Sequence, residues 1–158
     1  MTTHVKKILL ALALLLIIAA IVSAVLFRPS VQTYFLQNKE QFELVVDYML
    51  KVCTEENSAR YITRSTLDES ELPSDVQNAM YKVFTKSNCT GIYVCHTHCE
   101  FIASKGDEDT GILFVEADSA EEAKRVAQFS AVRELKTVYE HWYAYRVLNA
   151  DGIGRIPG

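Results

Sequence analysis

The sequence predicts an α+β fold: an N-terminal transmembrane helix, then two helices packed on an antiparallel sheet of three to four strands, with one short inserted helix. Three observations lead to this prediction. Residues 8–27 form an almost unbroken apolar run, and apolar residues recur at helical spacing in residues 42–53 and 76–84. From Gly91 onward the apolar period changes to two. The chain of 158 residues has the length of one ordinary domain.

The apolar run at residues 8–27 has the length of a membrane span. It contains one weakly polar residue, Ser23, and a helix of this length would cover about 30 Å, the thickness of a bilayer's hydrocarbon core. Lys6 and Lys7 precede the run, so the positive-inside rule predicts that residues 1–7 are a cytoplasmic stub. The lipid bilayer is then one partner, and the C-terminal domain lies outside the cell membrane. Cleavage of the run as a signal peptide, which would release the domain, is the alternative.

The rest of the chain has the composition of an acidic globular domain. The whole chain carries 16 basic and 20 acidic side chains, a net charge of −4, which excludes electrostatic binding to nucleic acid. Residues 28–37 are expected to be a juxtamembrane linker, and residues 38–148 an extracytoplasmic α+β domain. Residues 149–158 are expected to be a flexible tail.

Two helices are predicted at the start of this domain. Asn38 suits an N-cap, with Gln41 at the capping-box position, and apolar residues follow at helical spacing as far as Cys53. Residues 54–71 are polar and without a period, which predicts a loop. Residues 73–87 begin with proline and carry five apolar residues on one helical face, so they form the second predicted helix.

Strands dominate the second half of the domain. Residues 91–104 and 111–116 are rich in β-branched and aromatic residues and flank a polar turn, which predicts an antiparallel hairpin whose first arm can be split near Cys95–Cys99. A capping box at residues 119–122 opens the short inserted helix. Residues 134–147 are predicted as a strand or a tight hairpin, and a continued helix is the alternative.

Four short sequence features occur together along the domain. They are an Asn-Lys-Glu-x-Phe-Glu helix at residues 38–43, a Leu-Pro helix start at residues 72–73, a Glu-Phe strand at residues 100–101 and a closing Trp-Tyr-x-Tyr strand at residues 142–145. In these features the chain resembles small, functionally uncharacterised membrane-anchored or lipoprotein-type envelope proteins of Gram-positive bacteria. The resemblance implies an envelope location and an α+β architecture, and it implies no catalytic residue. The chain lacks the lipid-acceptor cysteine of the lipoprotein members.

The cysteines and two histidines are the chemically most suggestive residues. Outside the cell, disulfides are favoured, and the candidates are Cys53, Cys89, Cys95 and Cys99. No cofactor is expected; zinc is the alternative, and its ligands would come from Cys89, Cys95, His96, His98 and Cys99. On a straight strand, however, both histidines point away from the flanking cysteines. Free thiols are the third alternative.

A nucleophilic cysteine is a further interpretation of the same residues. It would pair Cys95 or Cys99 with His141, which requires that they meet in space. No local signature of a catalytic cysteine accompanies these residues. The sequence therefore names no catalytic residue.

Four aromatic residues near the C terminus are the candidates for a binding surface: Tyr139, Trp142, Tyr143 and Tyr145. An exposed side of their strand would offer an aromatic platform to a peptide, a glycan or a partner protein, and core packing is the alternative. Without a catalytic motif, the sequence predicts a non-enzymatic binding or accessory module of the cell envelope. The alternatives are a metal- or thiol-dependent site at the cysteines and histidines, and a regulator or immunity-type partner of another membrane protein.

Overall fold

The structure, a computed structural model, describes residues 12–17, 28–106, 108–127 and 132–148. After a helical segment at residues 12–17, the helices are α1 (Val31–Glu56), α2 (Ser74–Lys86) and α3 (Ala120–Val126), with a 3₁₀ turn at Leu67–Glu69. The strands are β1 (Arg60–Ile62), β2 (Gly91–Val94), β3 (His98–Lys105), β4 (Glu108–Val115), β5 (Val132–Tyr139) and β6 (Trp142–Leu148).

One antiparallel sheet organises the domain, with its six strands in the order β1-β2-β3-β4-β6-β5. Helices α1 and α2 cover one face, where Phe42 packs against Phe101 and Trp142 with ring centroids 4.6 and 6.3 Å apart. Helix α3 covers the other face, above Leu113 and Tyr143. The α+β class that the sequence predicts is therefore confirmed.

Strand β3 presents different chemistry to the two faces, because successive side chains of a strand alternate. Cys99 and Phe101 belong to the core beneath α1 and α2. His98 and Glu100 project to the opposite face, and Glu100 lies beside Leu113 of β4 in the register of the sheet.

The sheet is larger than the sequence predicts, and the expectation of three to four strands is wrong. Strand β1 lies inside the polar stretch expected to be a loop. It has three residues, of which only Ile62 is buried, so no apolar alternation marks it. Residues 91–104 form two strands, divided at the split that the sequence left open near Cys95–Cys99. Residues 134–147 lie in the tight hairpin of β5 and β6.

The predicted N-terminal transmembrane helix is not supported either. Within residues 8–27 the structure describes only residues 12–17, an exposed helical segment. Among the described residues, none of the helices combines the length and the apolar character needed to cross a membrane.

Helix α1 begins earlier than the capping pattern predicts. Ser30 Oγ accepts the backbone N–H of Thr33 and so caps the helix. The first turns are packed into the core through Val31 and Phe35. Asn38, the predicted cap, has φ −140° and ψ 36° and marks a kink inside the helix. The expected linker at residues 28–37 therefore contributes to the core.

The other two helices follow the sequence pattern more closely. Helix α2 matches the helix predicted over residues 73–87. Ser119 caps α3 by accepting the backbone N–H of Glu122, as the capping box predicts. The predicted stub at residues 1–7 and the predicted tail at residues 149–158 lie outside the described residues.

Candidate functional site

A tight turn between β2 and β3 builds the site. The backbone N–H of Cys95 donates to the carbonyl oxygen of His98 at 3.0 Å. His96 and Thr97 are therefore the two loop residues of a β-hairpin. The sequence suggested a split of this arm near Cys95–Cys99, and the structure places a complete reversal of the chain there.

The reversal places a thiol, an imidazole and a carboxylate in one line. Cys95 Sγ lies 3.2 Å from His98 Nδ1, and His98 Nε2 lies 3.2 Å from Glu100 Oε1. The two β3 side chains share a face because their residues are two apart on the strand. The imidazole is thus held at both ring nitrogens. A nucleophile beside a base that a third group orients is the arrangement that activates cysteine and serine in catalytic sites.

Thr97 completes the surroundings of the thiol. Its Oγ1 lies 3.2 Å from Cys95 Sγ and 2.9 Å from His98 Nδ1. The hydroxyl can therefore donate to the sulfur, while the ring N–H is shared between the sulfur and the hydroxyl oxygen. Sulfur, hydroxyl and ring nitrogen form a triangle of polar atoms at the end of the hairpin.

These contacts change the ionisation of the thiol. Burial on its own would raise the pKa of Cys95. Hydrogen bonds to Sγ from the ring of His98 and from the hydroxyl and backbone N–H of Thr97 outweigh burial and lower the pKa to about 6. An ordinary cysteine has a pKa of about 8.5.

The imidazole shifts in the opposite direction. Burial disfavours the charged ring, but the hydrogen bonds to Cys95 and Glu100 outweigh it and raise the pKa of His98 to about 9. Between the two pKa values the thiol has lost its proton and the ring has gained one. At neutral pH the site therefore holds a thiolate and an imidazolium in contact.

The pair is enclosed but close to the surface. Cys95 is 8% exposed, and His98 and Glu100 are buried. The ring of His98 packs on Tyr93 with centroids 5.7 Å apart, which fixes its orientation. Thr97 is exposed, so the thiolate lies directly beneath a residue that contacts solvent.

No protein-family model, curated protein or solved structure matches this chain.

The other three cysteines are structural. Cys53, Cys89 and Cys99 belong to the core beneath α1 and α2, on the opposite face of the sheet from His98. Burial raises the pKa of all three thiols, to about 12 for Cys89 and well above the ordinary value for Cys99. Only Cys95 among the four has its pKa lowered, so it is the one thiol prepared to react near neutral pH.

Neither cross-linking interpretation of the cysteines describes the structure. All four are free thiols, so the expected disulfides are absent, and the third alternative applies. Among the described residues, no three His, Cys, Asp or Glu side chains are grouped so as to hold a metal ion. Of the proposed zinc ligands, the turn brings together only Cys95 and His98; His96 is exposed and Cys99 faces the core.

The aromatic candidates do not form an exposed platform. Trp142, Tyr143 and Tyr145 are buried, which is the core packing that the sequence left as an alternative. Tyr139 remains 53% exposed, and the ammonium group of Lys39 lies 4.3 Å from the centroid of its ring.

Sequence reasoning missed two members of the site and the correct histidine. Thr97 and Glu100 were not among the candidates, and His141 contacts the carbonyl oxygen of Ala117 instead of a cysteine. The available signal was the spacing Cys-x-x-His-x-Glu from Cys95. A two-residue turn after the cysteine puts the histidine opposite it, and the strand period then places the glutamate beside the histidine.

Proposed function

We propose that this chain is a thiol-reactive protein whose nucleophile is the Cys95 thiolate. One observation carries the proposal: Cys95 Sγ contacts His98 Nδ1 at 3.2 Å while Glu100 holds the other ring nitrogen. His98 stabilises the thiolate and can return a proton to a leaving group, and Glu100 positions the ring. The thiolate attacks an electrophilic centre that reaches the turn.

The burial of the site supports reactivity over a purely structural role. A buried thiolate–imidazolium pair costs desolvation energy, and a well-packed apolar pair could take its place without loss of stability. The chain nevertheless keeps two ionised groups, a hydroxyl and a carboxylate together beneath an exposed turn. Strongly shifted pKa values that arise from specific charged partners are typical of functional sites.

The test is the pH dependence of alkylation of Cys95 by iodoacetamide, read by mass spectrometry of the labelled peptide. In the wild-type chain the rate should follow a single ionisation with a pKa of about 6. In His98→Gln the stabilising charge is gone, so the pKa should rise above about 8 and the rate near neutral pH should fall about tenfold or more.

His96→Gln is the matched control. His96 is the loop residue that directly follows Cys95. It is exposed, and it makes none of the contacts described for His98. Its replacement should leave the alkylation profile unchanged. A wild-type pKa close to that of ordinary cysteine, or equal effects of the two histidine substitutions, overturns the proposal.

Other expectations from the sequence stay predictions. The non-enzymatic binding or accessory role, the location outside the cell and an envelope partner are compatible with a thiol-reactive domain. Tyr139 is the one member of the predicted aromatic surface that remains exposed for such a role.

A further inference from the structure

We propose that the electrophile attacked by Cys95 is a small hydroperoxide such as hydrogen peroxide, with Thr97 and His98 assisting cleavage of the O–O bond. This inference rests on the proposed function and names its substrate class. Three features of the site carry it: restricted access to the sulfur, two hydrogen-bond donors beside it, and the separation of the remaining thiols from it.

Access to the sulfur limits the size of the substrate. Cys95 is 8% exposed and lies under the loop formed by His96 and Thr97. Two surface depressions of the described structure, one beside Arg64 and one beside His141, do not include the sulfur. With so little of the sulfur exposed, a small electrophile is favoured over a peptide or a large acyl group.

The donors around the sulfur suit the breaking of an O–O bond. When a thiolate attacks a peroxide, negative charge develops on the departing oxygen and must be stabilised and then protonated. Thr97 Oγ1 lies within hydrogen-bond distance of both Cys95 Sγ and His98 Nδ1. A peroxide held against the sulfur would therefore have a hydroxyl and an N–H donor close to its departing oxygen. Alkylation by iodoacetamide releases iodide and gains little from such donors.

The chemical step balances with groups that are present. The Cys95 thiolate attacks one oxygen of H–O–O–H; an S–O bond forms and the O–O bond breaks. The bonding electron pair leaves with the second oxygen as hydroxide, which takes the proton from the His98 imidazolium and becomes water. The sulfur is oxidised by two electrons to sulfenic acid, and the peroxide is reduced by two electrons.

Recovery of the thiol requires a partner from outside the chain. Cys53, Cys89 and Cys99 are buried in the core on the opposite face of the sheet, and burial raises the pKa of each. A protonated thiol in the core is a poor nucleophile toward the sulfenic acid, so none of the three is suited to resolve it. A low-molecular-weight thiol condenses with it to give a mixed disulfide and water, and a second thiol molecule releases the Cys95 thiol as the external disulfide forms.

The electrostatic surroundings of the pair come from three elements. Glu100 on β3 and Tyr93 on β2 contact the ring of His98. Cys53 of α1, whose Sγ lies 3.8 Å from the carbonyl oxygen of Val94, is the nearby titratable group from the helical side. Because the pKa of Cys53 is raised, it stays protonated and adds no charge in the working range.

The experiment uses the full chain, freshly reduced and freed of reductant. Rate constants for oxidation by hydrogen peroxide and for alkylation by iodoacetamide are measured at the same pH, and their ratio is taken. Both reactions depend on the same fraction of thiolate, so this fraction cancels in the ratio. The ratio therefore reports how much the hydrogen-bond donors of Thr97 and His98 favour the reaction with peroxide. For the wild-type chain it should exceed the ratio for free glutathione by about tenfold or more, since a hydrogen bond to a charged group is worth at least that factor.

Two substitutions of the exposed loop residue form a matched pair. Thr97→Val removes the hydroxyl while keeping the shape of the side chain, and should lower the ratio about tenfold. Thr97→Ser keeps the hydroxyl and should leave the ratio unchanged. The sulfenic acid, trapped with dimedone, should map to Cys95 and be absent from Cys95→Ser.

The outcomes separate the two proposals. A wild-type ratio equal to that of glutathione, or no change in Thr97→Val, overturns the hydroperoxide assignment while the alkylation profile still supports a thiolate nucleophile. An intramolecular disulfide as the main oxidation product overturns the external recovery step. If the alkylation profile itself shows an ordinary thiol, both proposals fall together.

Discussion

Cys95 and His98 are three residues apart in the chain and face each other across a two-residue turn, with Sγ and Nδ1 3.2 Å apart. The turn brings the two side chains together, and the pairing of β2 with β3 imposes that turn. The sheet contributes what the turn cannot. It buries the pair against Tyr93 and supplies Glu100 to the second ring nitrogen.

The thiolate should make part of the stability depend on pH. The pKa of Cys95 is lowered in the folded chain, so its contribution is fully present above the unfolded value of about 8.5 and is lost as the pH falls through about 6. We expect the difference in free energy of unfolding between wild type and Cys95→Ser to be largest near the upper end of this range. Urea denaturation of both chains across the range measures it. A difference that is constant with pH would contradict the lowered pKa.

Glu100 should act on the thiol only through the ring of His98. In Glu100→Gln the negative partner of Nε2 is lost, so the pKa of His98 should fall from about 9 by about one unit or more. The alkylation pKa of Cys95 should rise as a result. NMR titration of the His98 ring, together with the alkylation profile, tests both shifts.

Glu140→Gln is the control for this substitution. Its side chain is largely exposed and lies near His141, on a different turn of the sheet. It should change neither profile. If Glu100→Gln slowed the reaction while the ring pKa stayed near its wild-type value, a positioning role through His98 would be untenable.

Phe42 should be among the most sensitive positions of the core. It is fully buried, and its ring lies 4.6 Å from that of Phe101 and 5.3 Å from that of Phe35 between centroids. Phe42→Ala should lower the free energy of unfolding by about 3–5 kcal/mol because it leaves a cavity. Leu36→Ala, on the same helix and 67% exposed, should change it by less than about 0.5 kcal/mol. Comparable losses for the two would refute the packing described.

Two glycines should respond differently to alanine. A Cβ at Gly111 would overlap the backbone oxygen of Phe101, which cannot move without shifting β3 against β4. Gly111→Ala should therefore cost about 1–3 kcal/mol or more. Gly106 has open space around it but φ of 62°, so Gly106→Ala should cost only about 1–2 kcal/mol from the left-handed conformation. Thermal or urea unfolding ranks the two, and the reverse order would contradict the strand register.

The part of the fold that could be predicted from the sequence is the part with a strong period. Helix α2 has one apolar face at helical spacing, and the strands from Gly91 to Val115 are rich in β-branched and aromatic residues, so their type could be predicted. Strand β1 could not be predicted, since an edge strand of three residues needs neither apolar alternation nor length. The start of α1 was misplaced because Asn38 has the composition of a cap although tertiary packing carries the helix through it with a kink.

The site was missed for a related reason. On a straight strand His98 points away from Cys95, and the histidine considered for a nucleophilic cysteine was His141. The turn at His96 and Thr97 contains no glycine, asparagine or proline, the residues from which a turn is usually predicted. The pairing of β2 with β3 imposes the reversal, and pairing is a property of the assembled sheet.

The sequence by itself determined the α+β class, the helix at residues 74–86, the cap of α3 and the presence of four cysteines with nearby histidines. These follow from local periodicity and local hydrogen bonding, which need only neighbouring residues. Tertiary structure decided which thiol differs from the rest. Three cysteines lie in an apolar core, where burial raises the thiol pKa and keeps the thiols protonated. The fourth lies at a turn where a ring N–H and a hydroxyl stabilise the thiolate charge. Reactivity depends on that difference in environment, because all four side chains are chemically identical.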